Sequence, residues 1–466
     1  MSCAGDPNVM TPHLDRLAES GVRFTNSCST YPICVPTRFS LMTGEYAHTR
    51  FIPSIDWRMS PAERTIAHEM NDAGYQTAYT GKWHLAGFHR YVYNEESSDR
   101  AKRAKRQNRM PIRNNLQGGF EHWRGFELRN DPFDTVYFRD DDPTPRKIDG
   151  YQTDGLFDLA TQFVREEWDK QRPFFQILSV EAPHPPFTAP RPYLQRWSNR
   201  DVEFPPNADL NSSFTVRNWG SENLREELDM NDGIRDDLRA YYAMIENLDD
   251  NVGELLDFLN KEGIRETTAV IFLSDHGEMM GSHGMIEKEY PYEESIGIPS
   301  IVSYPPEIQQ DETIYVPVAT EDWFPTILGL GGVEANEPTS GTDLTSLLRG
   351  DCDSLRRPGV MLEFVAEQRG GLPYAEEISF NEETWRGFRT RRYKYAVKGG
   401  PKGGDPWLLF DLNKDPYETE NLVDNPDYQS EAQRLHGHLR EYIDATDDDY
   451  GLKPAFGHDG INYWET

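Results

Sequence analysis

The sequence predicts an α/β protein with a mostly parallel sheet sandwiched by helices and a smaller C-terminal α+β subdomain. Over residues 1–350, helix-like segments alternate with short, almost continuously apolar runs. Such runs are typical of parallel strands that are buried on both faces. After about Asp351 the segments alternate polar and apolar residues, as antiparallel strands do. We therefore expect one large domain over residues 1–350 and the subdomain over residues 351–466.

Helices and strands are predicted to alternate along the large domain. The stretch "TPHLDRLAESGVRF" predicts a helix, and "TIAHEMNDAGYQTAYTGKWH" predicts a helix, a turn at Gly74 and a short strand. "PFFQILSVEAPHPPF" predicts a buried strand that enters a proline-rich loop. "DLRAYYAMIENLDDNVGELLDFLNKEG" has helical spacing up to a stop at Gly263, and "TTAVIFLSDHGE" predicts a strand that ends in charged residues. Ligands of open α/β sheets bind at such strand ends.

The subdomain is predicted to contain antiparallel strands at "TWRGFRTRRYKYAV" and "PWLLFDL", followed by a helix at "YQSEAQRLHGHLREYI". Two long polar stretches interrupt the large domain, from Tyr91 to Asp149 and from Pro190 to Asn231. We expect both to be irregular loops that border a functional site, because binding residues are concentrated on such loops.

The charge balance excludes some classes of partner. The 466 residues carry 79 acidic and 48 basic side chains, a formal net charge of −31. This excess argues against nucleic acid or an anionic membrane as the main partner. A strongly acidic surface with only 12 lysines is also typical of salt-loving organisms, although an ordinary acidic protein explains it equally well.

The first candidate group lies in "TYPICVPTRFSLMTGEY", which contains Cys34 and Arg38. Pro36 suits a turn just before a helix that begins near Thr37. A cysteine there would lie close to a helix N-terminus, where anions bind readily. A buried structural cysteine is the alternative explanation.

Two further groups contain histidine. Lys82 and His84 are two residues apart at the end of a predicted strand, so both could point into one pocket. A solvated lysine beside a hydrogen-bonded histidine explains the pair as well. His184 follows a buried strand in "APHPPF", where the prolines make the loop stiff, but a single histidine is weak evidence.

The fourth group is "SDHGEMMGSHG", with Lys288 a few residues later. Asp275 and His276 end the most hydrophobic predicted strand of the chain. Burying a carboxylate beside an imidazole is costly unless something pairs with them, and a metal ion is a suitable partner. Here the pattern favours a functional site.

Together these groups resemble the sulfatase family of the alkaline phosphatase superfamily, nearly from end to end. "TPHLDRLAESGVRFTN", "GKWHLAG", "APHPPF" and "SDHGE" occur in that family's order, and "RTRRYKYAV" and "LLFDLNKDPYETENL" resemble its C-terminal subdomain. The resemblance therefore implies an alkaline phosphatase-like fold. The family signature Cys-x-Pro-Ser/Thr-Arg-x4-Thr-Gly is matched by Cys34, Pro36, Thr37, Arg38, Thr43 and Gly44.

The resemblance implies that Cys34 is converted to formylglycine by a maturation enzyme that recognises this signature. One hydroxyl of the hydrated aldehyde would attack sulfur and form a covalent sulfate ester. Deprotonation of the other hydroxyl would then expel inorganic sulfate. A divalent cation, calcium by the resemblance, would be bound by Asp275, His276 and the modified Cys34, and Arg38 would hold the formylglycine.

The other roles also follow from the resemblance. Lys82 and Lys288 would neutralise the sulfate oxygens as negative charge builds up. His84 would hydrogen-bond the formylglycine and act as base in sulfate release. His184, together with Lys288, would assist the departing alkoxide.

In one respect the sequence departs from the family pattern. The resemblance implies an apolar strand that ends in two metal-binding aspartates before "SCAGDPNVMTPHLDRL", where this chain has only Met1. We expect Met1 to be an internal methionine of a longer protein, whose leader would also precede it. If the chain truly starts here and is cytoplasmic as written, its site keeps three ligands, and we expect little or no activity.

The sequence thus predicts a sulfuric ester hydrolase that acts on a sulfated small molecule or glycan, with a carbohydrate sulfate favoured by the resemblance. One alternative is a phosphonate or phosphate ester hydrolase that uses the same nucleophile. The other is an inactive sulfoglycan-binding homologue, although the intact Cys34 signature argues against it.

Overall fold

The computed structural model contains both helices and strands. It describes residues 1–55, 57–87, 110–129, 131–210, 224–230, 233–366, 383–399, 404–448 and 450. The α-helices are α1 Pro12–Glu19, α2 Cys34–Thr43, α3 Ile66–Asp72, α4 Gln152–Gln162, α5 Arg191–Trp197, α6 Leu224–Glu227, α7 Gly233–Lys261, α8 Glu293–Ile296, α9 Trp323–Leu330, α10 Thr345–Arg349 and α11 Gln429–Ala445. Within these ranges no helix is long and apolar enough to cross a membrane.

The strands of the large domain form three sheets. They are β1 Val22–Phe24, β2 Ser27–Cys28, β3 Gln76–Lys82, β4 His122–Phe126, β5 Val136–Arg139, β6 Asp142–Lys147, β7 Phe174–Ser179, β8 Val270–Leu273, β9 Ser300–Ser303, β10 Glu312–Ile314 and β11 Val318–Ala319. The strand orders are β6-β5-β4-β3-β7, β10-β1-β9-β8 and β11-β2. Strand β3 pairs in parallel with β4 and β7, whereas β9 pairs antiparallel with β1 and β8.

A separate antiparallel sheet forms the C-terminal part. Its strands are β12 Gly359–Phe364, β13 Trp385–Thr390, β14 Tyr393–Lys398 and β15 Asp405–Asp411, in that spatial order. Helix α11 packs on it through Leu435, Leu439 and Ile443. The predicted α/β class with a C-terminal α+β subdomain is therefore confirmed.

Strands β7 and β8 are edge strands of their two sheets. Among the described residues, neither strand has a paired neighbour on its outer edge, and every residue of both is half-buried. Both strands contact one apolar cluster, which α1 and α7 also supply with leucines such as Leu14 and Leu248.

Helix α2 lies in the interior of the protein. Eight of its ten residues are buried, and Val35 and Phe39 share an apolar cluster with Leu362 and Trp385 of the C-terminal sheet. The predicted start near Thr37 is wrong, because the helix begins at Cys34. Pro36 fits the first turn, where a missing backbone N–H costs no hydrogen bond.

The predicted irregular stretches contain regular structure. The first holds β4, β5 and β6, because Trp123 and Phe126 are buried in β4, which pairs with β3. The second holds α5 and α6, and Trp197 is buried on α7. Both expectations were wrong for these segments. Residues 91–109, 130, 211–223 and 231 of the two stretches lie outside the described residues.

A buried carboxyl lies close to the segment that leads into α2. Glu321 follows β11, is 1% exposed, and accepts a hydrogen bond of 2.7 Å from the Thr30 hydroxyl. Burial outweighs this hydrogen bond and raises the pKa of Glu321 to about 8. The folded protein therefore holds this proton at pH values where the unfolded chain has released it.

We predict that the free energy of unfolding of the wild-type protein falls, relative to that of E321Q, as pH rises from about 4.5 to about 8. The folded state binds more protons in that window, so the slope reaches at most about 1.4 kcal/mol per pH unit. Urea titrations at several pH values measure it. The exposed carboxyl of Glu307 is the control, since E307Q should keep the wild-type slope. Identical slopes for wild type and E321Q would contradict the assignment.

Candidate active site

The predicted site residues lie where strands of the two larger sheets end. Lys82 is the last residue of β3, His184 follows β7, and Asp275 and His276 follow β8. Cys34 opens α2, and its sulfur lies within 4.8 Å of ligand atoms of Asp275 and His276. Groups that are distant in sequence thus meet at one point.

Cys34 is 3% exposed and lies between a histidine and a lysine side chain. Its Sγ is 3.2 Å from His276 Nε2 and 3.9 Å from Lys82 Nζ. Burial alone would raise the pKa of the thiol, but the charges of Lys82 and His276 outweigh it and lower the pKa to about 6. The site therefore stabilises negative charge at position 34.

Arg38 connects α2 to three strand ends. It lies one helical turn after Cys34, and its Nε and Nη2 donate to Asp275 Oδ2 at 3.1 and 3.0 Å. Its Nη1 donates to the Lys82 carbonyl at 3.0 Å and to Ser179 Oγ at 2.9 Å. One guanidinium thus fixes the ends of β3, β7 and β8 around Cys34.

Asp275 is ionised in this environment. Burial would raise its pKa, but His276, Arg38 and Lys82 together hold that pKa well below the usual range of a carboxyl. Asp275 and Cys34 in turn raise the pKa of His276 against the effect of burial. Neighbouring positive charges, acting against burial, therefore keep the Asp275 carboxylate ionised.

The strand alternation predicted for Lys82 and His84 ends at Lys82. His84 has a φ of 60°, so the chain bends after β3 instead of continuing as a strand. The Glu127 carboxylate fixes this bend by accepting hydrogen bonds of 3.0 and 2.9 Å from the backbone N–H groups of Ala86 and Gly87. His84 is buried at the bend, 3% exposed.

The surroundings of His184 favour its neutral imidazole form. Burial, Lys288 and Lys82 lower its pKa well below the ordinary value. Its Nδ1 lies 2.6 Å from the Pro185 carbonyl oxygen. Because a carbonyl oxygen can only accept, Nδ1 carries the hydrogen and donates this hydrogen bond. Nε2 is therefore the nitrogen that accepts.

Lys288 reaches the site from the loop that follows "SDHGE". It is 9% exposed, and the charges of Cys34 and Glu287 raise its pKa against the effect of burial. The loop carboxylate of Glu278 adds to this field. Lys288 therefore lies close enough to Cys34 for the charge at position 34 to raise the pKa of its ammonium group.

Ser179 and Glu127 were not predicted as site residues. Ser179 is the last residue of β7 and accepts from Arg38, and Glu127 holds the bend that contains His84. The available signal was a polar residue directly after an apolar run, in "QILS" and in "RGFE". That signal is common, so neither residue stands out without the fold.

The donors at this point fit a divalent cation. Asp275 supplies a carboxylate, His276 an imidazole nitrogen, and Cys34 a sulfur. Calcium prefers roughly six to eight oxygen ligands, and the described group contains one carboxylate. The identity of the cation as calcium therefore stays a prediction. The presence of two further aspartate ligands from a preceding strand also stays a prediction.

Comparison with known proteins identifies the family. A family model described as Sulfatase matches residues 1–333, and the model N-sulphoglucosamine sulphohydrolase, C-terminal, matches residues 281–445. The Ulvan-active sulfatase of Formosa agariphila is 31% identical over 477 residues, which cover 99% of this chain and 84% of that protein. The chain belongs to the sulfatase family. It is a sulfuric ester hydrolase.

Other relatives of this sulfatase span nearly its whole length. The N-acetylglucosamine-6-O-sulfatase of Bacteroides thetaiotaomicron is 25% identical over 95% of this chain and 83% of its own. A structure solved in complex with its substrate D-glucosamine-2-N,6-O-disulfate is similar, with a TM-score of 0.79 over 97% of this chain and 96% of that one, at 24% identity. The phosphonate monoester hydrolase of Agrobacterium radiobacter has a TM-score of 0.69 at 22% identity, over 96% and 93% of the two chains. The two structural similarities support the fold.

We predict that R38K lowers kcat/KM for a sulfate ester about 100-fold, because the single nitrogen of an ammonium group cannot span the acceptors at Asp275, the Lys82 carbonyl and Ser179 that the guanidinium reaches through three nitrogens. Initial rates of sulfate release measure the effect. S179A is the matched control, since it removes one of these hydrogen bonds and should cost less than about tenfold. An R38K enzyme as active as S179A would contradict the role of the guanidinium.

Proposed function

We propose that this sulfatase hydrolyses O-sulfate esters of carbohydrates and releases inorganic sulfate. The observation that carries the reaction is the position of residue 34 beside the Lys82 ammonium group and the two candidate metal ligands Asp275 and His276. The relatives support the substrate class, because they include an ulvan-active sulfatase and an N-acetylglucosamine-6-O-sulfatase. The substrate would thus be a sulfated glycan or a small sugar sulfate.

Residue 34 is the proposed nucleophile, in the form of formylglycine made by a maturation enzyme. The complete signature around Cys34 supports this assignment. The modification would supply a hydrated aldehyde, of which one hydroxyl attacks sulfur. Lys82 would stabilise the negative charge of that hydroxyl, as it lowers the pKa of the Cys34 thiol in the unmodified chain.

The charged residues around position 34 would orient the sulfate group. A divalent cation held by Asp275, His276 and residue 34 would polarise the sulfate oxygens, with calcium the predicted ion. Lys82 and Lys288 would donate to the oxygens that gain negative charge, in a buried site where such contacts are strong. Arg38 would keep Asp275 ionised and correctly oriented.

Two histidines would transfer protons. His184 is neutral before the substrate binds, and the negative charge of a sulfate ester would raise its pKa. It could then donate from Nε2 to the departing alkoxide, assisted by Lys288. His84, buried at the bend after β3, would act as base for sulfate release.

Phosphonate or phosphate ester hydrolysis is the second candidate function. A multifunctional alkaline phosphatase superfamily protein of Trinickia caryophylli is 25% identical over 91% of this chain. The same cationic groups would bind a phosphonate monoester, which carries a similar charge and shape. Relative turnover of the two substrate classes distinguishes these functions.

We predict that the matured protein releases sulfate from a 6-O-sulfated glucosamine or a sulfated polysaccharide at a kcat/KM at least about 100-fold above that for an aryl phosphonate. C34A should abolish release, because it removes the nucleophile. C352A is the matched control, since Cys352 is exposed. Ion chromatography of sulfate provides the measurement. Faster phosphonate turnover would favour the second function, and binding of sulfated sugar without any release would favour a binding protein.

A further inference from the structure

The loop from Glu278 to Glu289 carries Lys288 and folds back on itself. The Met279 N–H donates to the Glu287 carbonyl at 2.8 Å, and the Glu287 N–H donates to Glu278 Oε1 at 2.5 Å. Glu287 and Glu289 have φ values of 65° and 90°, which are unfavourable for residues other than glycine. Lys288 thus lies between two left-handed residues, and such backbone persists only where its surroundings hold it.

Glu289, the residue after Lys288, is held by two distant segments. Its N–H donates to the carbonyl of Pro32 at 3.2 Å, and Pro32 lies two residues before Cys34. Its carbonyl accepts a hydrogen bond of 3.0 Å from Trp385 Nε1, at the start of β13. The backbone at Lys288 is therefore tied both to the segment that carries the nucleophile and to the C-terminal sheet.

Trp385 is itself fixed in position. It is 2% exposed, and its ring stacks on Phe364 of β12 with centroids 6.0 Å apart. The end of β12 also holds the segment before Cys34, because the Glu363 N–H donates to the Thr30 carbonyl at 2.8 Å and the Val365 N–H donates to the Tyr31 hydroxyl at 2.9 Å. Strands β12 and β13 therefore contact both the segment before Cys34 and the loop that carries Lys288.

We propose that Trp385 is a positioning residue for Lys288, through its hydrogen bond to the Glu289 carbonyl. The C-terminal sheet thereby sets the distance between the Lys288 ammonium and position 34. This inference rests on the proposed function of Lys288 at the sulfate group. It gives the C-terminal subdomain a direct part in turnover, although none of its side chains is assigned to the reaction.

The test is a double-mutant cycle on kcat for a sulfate ester. W385F keeps an aromatic ring and removes the N–H, so kcat should fall about tenfold and KM should rise no more than severalfold. In a K288A background the same substitution should have no further effect, because its action passes through Lys288. W323F is the matched control. Trp323 is fully buried, its N–H meets no acceptor in the described part of the chain, and kcat should not change.

An equal loss of kcat from W385F with and without Lys288 would overturn the proposal, as would no loss at all. If W385F does not fold, F364L removes the ring stacked on Trp385 and keeps the N–H. F364L should then give a smaller loss of kcat that again requires Lys288, and a loss independent of Lys288 would overturn the proposal.

A protein that turns over no sulfate ester would contradict the proposed function but leave this inference measurable. Calorimetry with inorganic sulfate would then replace kcat. W385F should weaken sulfate binding severalfold in the wild-type background and not in K288A. Equal weakening in both backgrounds, or none in either, would overturn the positioning role.

Discussion

The ion pair between Arg38 and Asp275 is the contact on which the rest of the site depends. A buried carboxylate is costly unless it is paired and hydrogen-bonded, and Arg38 supplies both at 3.0 and 3.1 Å. The same guanidinium binds the Lys82 carbonyl and Ser179, so the ends of three strands cannot shift independently. The position of Cys34 follows, because it lies one turn before Arg38 on the same buried helix.

The charge of the site is opposite to that of the protein. The chain has a formal net charge of −31, yet Arg38, Lys82 and Lys288 converge near position 34. Cationic side chains that are fixed in a site of low dielectric stabilise developing negative charge strongly. This arrangement suits an anionic substrate such as a sulfate ester, and it agrees with membership of the sulfatase family.

The sequence predicted that most of the site residues lie together, because they belong to local motifs or directly follow apolar strands. Cys34 and Arg38 are one helical turn apart, and Asp275 and His276 directly follow β8. The bend at His84 was not predictable from strand alternation, because it depends on the carboxylate of Glu127, more than forty positions away. The start of α2 was also misjudged, because Pro36 is compatible both with the turn before a helix and with its first turn.

Contacts between distant segments account for the rest. Trp385 and Glu289 are 96 positions apart, and neither belongs to a motif with a chemical role. Strand β4 is not predictable from its pattern "HWRGF", which contains glycine and arginine, because it is pairing with β3 that makes it a strand. Adaptation to salt stays a prediction from the composition.

The chemical state of residue 34 decides whether this sulfatase uses a formylglycine nucleophile. We expect mass spectrometry of the tryptic peptide 24–38, from protein made together with a maturation enzyme, to find an aldehyde in place of the Cys34 thiol. We also expect the rate of sulfate release to rise in proportion to the converted fraction. Full activity in a preparation whose Cys34 is entirely an unmodified thiol would contradict the formylglycine mechanism.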